Sequence, residues 1–271
     1  MTYHNPRIPE GINSGRQTPL RDLVVLGAGA LGLGFGLLVT LMLIGSWLAP
    51  LIPFSWERDL ASAINAQDLA GETVPSPRLQ VIVDDLANAA GLPDDMILTV
   101  HIMDSDMVNA FATMGGHIVV TRGLLEALPS ENALAWVLSH EIAHVENRDV
   151  ISSLGANAFF ALGAMVLLGD ADVLDELILG GGGLANLHFS REREIAADLE
   201  GLTTLVAHYG HAGGYAEALG TLKTYAVLQE LSPVFFSSHP DLDDRIKTLD
   251  REVDRRGWRM ETTEPASDWS S

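Results

Sequence analysis

The sequence predicts an α+β fold, mainly helical with a small β-hairpin or sheet, preceded by one N-terminal transmembrane helix. Three observations carry this reading. There is an uncharged apolar run near the N-terminus, several long stretches with apolar residues at helical spacing, and one short zone of β-branched residues divided by glycines.

No charged residue falls between Asp22 and Glu57, and Leu23 to Leu48 is almost wholly apolar. That run exceeds the ~20 residues a helix needs to cross a bilayer. It is also longer than the roughly 7–15-residue apolar core of a signal peptide, and no small-residue cleavage site precedes Pro50. An uncleaved anchor is expected over 23–48, with 1–22 as a short N-terminal segment. The run contains Gly27-Ala28-Gly29-Ala30-Leu31-Gly32, formally a dinucleotide-binding fingerprint. A βαβ unit would supply a ribose-binding acid about 20 residues later. Here the chain stays apolar through Ile44 and reaches Pro50 and Pro53. Ala28, Gly32 and Gly36, four apart, instead suit a helix face that packs closely on a second copy of the chain, or on nothing. Arg7, Arg16 and Arg21 precede the run, whereas Arg58 alone follows it closely. The N-terminus is therefore expected in the cytoplasm, with everything after about residue 54 outside the bacterial inner membrane, in the periplasm of a Gram-negative cell.

Acidic residues outnumber basic ones 36 to 16, for a formal charge of -20. This balance excludes nucleic acid as a partner, since phosphate backbones require a basic footprint. With 47% hydrophobic residues the chain is too apolar for disorder and can build one substantial core. The absence of cysteine excludes disulfides, thiolate nucleophiles and Cys-ligated metals, so any metal must use histidine and carboxylate.

Residues 57–70 and 77–90 read as two amphipathic helices separated by Gly71 to Ser76, with Leu79, Ile82, Val83 and Leu86 at helical spacing in the second. Ile97 to Met103 is strand-like. Val108 to Ala112, Met114-Gly115-Gly116 and His117 to Thr121 read as a hairpin. Pro129-Ser130 can start a helix over 131–147, and 186–209, 211–230 and 241–256 continue the helical pattern. These elements form one body over 54–256. The tail, 257–271, has few apolar residues and is expected to be mobile.

The 131–147 helix carries His140-Glu141-Ile142-Ala143-His144. Two imidazoles four residues apart share one helix face and can reach a single zinc, with Glu141 beside them to handle water. The bland reading, two surface histidines on a solvated helix, fits poorly with the apolar flanks Ala135 to Leu138 and Ile142 to Val145. Further along, Glu194 and Asp198 also share a helical face. Glu194 is then a candidate third ligand, with Asp198 supporting a ligand histidine. A solvated run of Arg–Glu pairs is the alternative.

These segments together resemble the HtpX and CAAX-prenyl-protease type of membrane zinc metallopeptidase. The matching stretches are Asn109 to Thr113, His117 to Leu125, Leu138 to Asp149, Ser190 to Asp198 and Ser238 to Ile246. They occur in that family's order and cover most of residues 78–250, leaving the anchor uncovered. The resemblance implies a gluzincin fold over 54–256, one Zn2+ held by His140, His144 and Glu194, and Glu141 as general base. It also draws attention to His239, which precedes Pro240 and so falls in a loop. From there an imidazole can bind an oxyanion or occupy the metal's fourth position. The 109–121 hairpin is expected to border the cleft and offer an edge strand to an extended peptide, with Asn109, Phe111 and His117 as contacts. Arg245 either meets a substrate carbonyl or pairs with Asp241 or Asp244.

Val150 to Gly169 is apolar and nominally long enough to span. His144 before it and Glu194 after it must meet at one metal, so a single crossing there is impossible, and Leu177 to Phe189 is too short for the return. A hairpin or lid over 150–189 is therefore expected, packing over the catalytic helix or dipping into the outer leaflet, with Gly180 to Gly183 as a hinge. The implied activity is hydrolysis of unfolded or misassembled envelope proteins by a membrane-anchored zinc endopeptidase, touching lipid through its anchor and open to homo-oligomerisation. The alternative is a zinc-containing, chaperone-like client-binding factor.

Overall fold

The computed structural model describes residues 19–63, 73–168, 189–228, 242–261 and 263–265. The described chain begins with α1 (Pro19–Leu48), a 3-10 turn (Ala49–Leu51) and α2 (Phe54–Ala63). β1 (Thr73–Pro75), α3 (Pro77–Ala90), β2 (Thr99–Met103), β3 (Ala110–Thr113) and β4 (His117–Thr121) follow. Then come α4 (Arg122–Ala127), α5 (Glu131–Glu146), α6 (Asp149–Leu168), α7 (Arg191–Tyr209), α8 (Tyr215–Leu228) and α9 (Leu242–Arg256). The class is the mainly helical α+β fold that the sequence predicts.

Helix starts are set by side-chain oxygens. The hydroxyls of Ser76, Ser130 and Ser190 accept from the backbone N–H groups of Leu79, Ala133 and Arg193 respectively, satisfying donors that a first turn leaves unpaired. Pro77 follows Ser76 at a position whose N–H would have no partner anyway. Of the helix expected over 57–70, α2 starts at Phe54 after Pro53, and 64–70 lie outside the described residues.

The sheet order is β1-β2-β4-β3, with β4 parallel to β2 and antiparallel to β3. The β3–β4 hairpin is the one read from 108–121. β1 falls inside the break expected between two helices; three residues are too few for alternation to register, and Pro75 confines it to an edge. Ala110, Ala112, Ile118 and Val120 point into the core, where β3 meets α5. Phe111, Thr113, His117 and Val119 occupy the opposite face.

α5 lies at the centre, packed by α3, α7, α8 and β3 and buried continuously from Asn132 to Val145. A helix covered on every side needs no polar stripe, and this one has none outside the site. The sequence predicts a mobile tail, but residues 258–261 and 263–265 are held against the start of α5 and the turn before α8. The Glu131 N–H donates to Glu264 O at 3.0 Å, the Glu264 N–H to Asn132 Oδ1 at 2.8 Å, and the Ala212 N–H to Arg259 O at 2.8 Å. Unsatisfied backbone groups at a helix start, invisible to apolar patterning, hold this segment down. Residues 266–271 lie outside the described set.

α1 and α6 are the two described helices long and apolar enough to cross a membrane, with mean hydropathies of 2.2 and 1.8. They pack antiparallel. Gly45 lies against Gly155, Leu38 and Leu41 against Gly163, and Gly34 near Leu167, while Ser152 Oγ donates to Ser46 O at 3.0 Å. A Cβ on Gly45 would sit 2.2 Å from Gly155 O, so the contact requires glycine there. α6, the described part of the hairpin expected over 150–189, thus lies along α1. The hinge at Gly180 to Gly183 lies outside the described residues. Gly32 and Gly36, expected on a face that packs on a second copy or on nothing, have open space around them among the described residues of this chain.

Candidate metal centre

His140 and His144 project one turn apart from α5, and their Nε2 atoms lie 3.2 Å from each other. α7 crosses α5 closely. A Cβ on Gly201 would lie only 3.0 Å from His140 N, so glycine permits the approach that brings Glu194 and Asp198 to the histidines. Glu194 Oε1 is 3.3 Å from His144 Nε2, and its Oε2 is 3.6 Å from His140 Nε2. One ligand atom from each of the three residues falls within a 4.8 Å group. Two nitrogens each about 2.0–2.1 Å from one tetrahedral zinc would be roughly 3.3 Å apart. The donor set therefore fits a zinc-sized ion held by two imidazoles and one carboxylate.

The other ring nitrogens are committed to carboxylates. His140 Nδ1 lies 3.0 Å from Asp198 Oδ1, and His144 Nδ1 lies 2.9 Å from Asp149 Oδ2. These contacts orient the rings so that both Nε2 atoms face the same point. Burial pushes the His140 imidazole down, with Asp198 opposing. Burial also pushes His144 down, but Asp149 and Glu194 outweigh it and hold its pKa up at about 9 in the metal-free protein. Phe189 stacks on His144 with ring centroids 4.2 Å apart.

Arg245 closes the far side. Its Nε and Nη2 grip the two oxygens of Asp198, each at 2.7 Å, and Nη1 lies 3.0 Å from Glu194 Oε2. Burial alone would raise the Asp198 carboxyl, but the Arg245 guanidinium and His140 hold it below its ordinary value. Two buried carboxylates need such a partner, and for that reason Arg245 turns inward. Of the partners expected for Arg245, Asp244 is thereby corrected to Asp198 and Glu194. Asp244 is half-exposed and pairs with Arg191, and Asp241 lies outside the described residues.

Glu141 is buried beside the histidines, and its Oε2 accepts from the backbone N–H of Ala112 at 2.8 Å. This hydrogen bond joins α5 to β3, the edge strand. A family model described as Peptidase family M48 matches residues 74–253, which contain every one of these groups.

The chain belongs to peptidase family M48.

Two relatives, both described as "Protease HtpX homolog", agree. The one from Desulfatibacillum aliphaticivorans is 32% identical over 227 residues, covering 66% of this chain and 71% of the relative. The one from Dictyoglomus thermophilum is 31% identical over 215 residues, covering 64% and 68%. This M48 chain is accordingly a hydrolase of a metalloprotease family, and α1 gives it the apolar helix of a membrane protein.

Within the M48 site, the structure assembles His140, Glu141, His144, Glu194, Asp198 and Arg245, but not Asn109, Phe111 or His117. Asn109 is buried with its Oδ1 unpartnered. Phe111 and His117 lie on the sheet face turned away from α5, and His117 Nδ1 contacts His101 Nε2 at 2.9 Å. His239 lies outside the described residues. Sequence reasoning missed Asp149, Phe189 and Arg193, whose Nε lies 3.2 Å from Asp149 Oδ1. Helical spacing does not join position 144 to 149, since the link depends on a turn after α5.

Proposed function

We propose that the chain is a membrane-anchored, zinc-dependent endopeptidase that hydrolyses peptide bonds of unfolded or misassembled envelope proteins. The observation that carries this reading is Glu141, a buried carboxylate fixed beside a three-donor group that fits a zinc ion. His140, His144 and Glu194 are the residues that would hold the metal. A zinc held there would supply a Lewis acid for a scissile carbonyl and would lower the pKa of water toward ~7. Glu141 then takes the proton of the attacking water and returns it to the leaving amine, its orientation maintained by the Ala112 N–H. Asp198 and Asp149 keep the imidazoles turned, and Arg245 balances the charge behind them.

The edge strand supports a preference for unfolded chains. Residues 110 and 112 direct their backbone groups away from β4, as the Ala112 N–H reaching Glu141 illustrates. An extended substrate pairing with such an edge is recognised mainly through its backbone, which folded proteins do not present. The Lys/Arg asymmetry around α1 supports a cytoplasmic N-terminus and a catalytic domain on the outer face of the bacterial inner membrane, with α1 making the crossing.

Degradation of unfolded casein by the full chain in detergent micelles tests the activity. Cleavage that requires zinc, stops with chelator and is lost in Glu141→Gln supports the endopeptidase. Zinc binding without any cleavage points to the client-binding alternative.

A further inference from the structure

We infer that Glu57, on α2 and outside the segment matched by the family model, is a positioning residue for the metal centre, an inference that rests on the zinc reading above. Glu57 is buried, and its two oxygens reach two separate elements, the turn after α5 and the β3–β4 turn. Oε2 accepts from Arg148 Nη2 at 2.6 Å, and Oε1 accepts from the Gly115 N–H at 2.9 Å.

The first arm leads to a ligand. Arg148, in the turn between α5 and α6, has φ of 58°, the one positive value among described non-glycine residues. Side chains other than glycine resist this conformation, so something must hold it. Arg148 Nη2 also donates to Ile52 O at 2.9 Å, and its guanidinium lies 5.5 Å from the centre of the Phe54 ring. All three contacts come from the segment 52–57. The turn swings Asp149 back toward α5, where Oδ2 holds His144 Nδ1; an uninterrupted helix would carry position 149 to another face.

The second arm leads to Glu141. Gly115 belongs to the β3–β4 turn, and β3 supplies the Ala112 N–H that fixes the Glu141 carboxylate. A single carboxylate from the membrane-proximal segment therefore braces both the end of α5 that carries His144 and the strand that orients Glu141. The choice of residue is chemically specific, because a carboxylate can accept both hydrogen bonds and also balance a partly buried guanidinium.

The test uses the full chain in detergent micelles. Zinc affinity is measured by chelator competition, kcat and KM on an unfolded peptide, and folding by thermal melting with zinc in excess. Glu57→Gln keeps an acceptor for Gly115 but removes the charge facing Arg148. It is expected to melt cooperatively, bind zinc about tenfold more weakly and lose kcat by a similar factor, since removing support of a metal ligand typically costs 10–100-fold. KM should stay within about twofold, because the loss concerns positioning of the reacting groups and not substrate binding. Arg148→Gln should reproduce these effects, and the double variant should be no worse than either single one, as for groups acting as a unit. If Glu57→Gln does not fold, Arg148→Gln decides by the same readouts. A folded variant with zinc affinity and kcat within about twofold of the unaltered chain overturns the inference, as do single losses that multiply in the double variant. An unaltered chain that binds no zinc overturns the zinc reading and this inference together; a zinc-loaded chain beside an unaffected variant overturns this inference alone.

Discussion

The backbone N–H of Ala112 donates to Glu141 Oε2 at 2.8 Å, so the edge of the sheet orients the carboxylate that the central helix carries. Ala112→Pro removes this donor without touching the β3–β4 ladder, because the N–H points away from β4, and edge strands tolerate proline. Expected is a loss of kcat of roughly tenfold to a hundredfold, the size of a small misplacement of a reacting group, with zinc content unchanged. Steady-state kinetics together with metal analysis check it, and unchanged kcat would show the hydrogen bond to be idle.

Arg245 is about 1% exposed and neutralises two buried carboxylates. Its replacement by Met removes the guanidinium from Asp198 and Glu194, and breaking a buried pair in this way costs about 3–5 kcal/mol. Arg245→Lys should recover only part of this, since a lysine cannot reproduce the two-pronged grip on Asp198. Denaturant unfolding of the metal-free protein measures both.

His101 and His117 touch across the β2–β4 pair. Burial lowers both pKa values, and His117 lowers that of His101 further. The unfolded chain then takes up protons at these positions more readily than the folded one. Their contribution to stability is full above the ordinary histidine value of about 6.5 and is lost as pH falls through the lowered folded values. Urea midpoints should drop from about pH 7.5 to about pH 5.5, and the drop should shrink in His117→Asn. An identical pH slope in that variant would exclude the pair as a source of acid lability.

The chain has no cysteine, which makes the α1–α6 contact directly testable. Ser46→Cys with Ser152→Cys should form an intrachain disulfide under mild oxidation, because Ser152 Oγ reaches Ser46 O. Adding Gly155→Leu should suppress it, since even a Cβ there would meet Ala49 Cβ at 2.5 Å. Equal crosslinking with and without that leucine would contradict the packing.

What the sequence discloses about this fold depends on whether a feature is local. α3 is legible because Ser76-Pro77 starts it, Gly91 stops it and Leu79, Val83 and Leu86 recur on one face. His140, His144, Glu194 and Asp198 are legible for the same reason, since spacing four within a helix is a statement about geometry. Asp149 is not, because its approach to His144 depends on the left-handed turn at Arg148, itself held from α2. Arg245 has acidic neighbours in sequence that mislead, and only the packing of α9 on α7 reveals which carboxylates it meets. Phe111 and His117 are legible as hairpin residues, but which face each occupies follows from the register of β3 on β4.

Zinc stoichiometry and affinity of the full chain, measured beside those of Glu194→Gln, test most directly whether His140, His144 and Glu194 form one metal centre. The expected result is about one zinc per chain, bound far more weakly once the third ligand is neutralised. Glu194→Gln retaining the affinity of the unaltered chain would contradict the centre described here and the mechanism that depends on it.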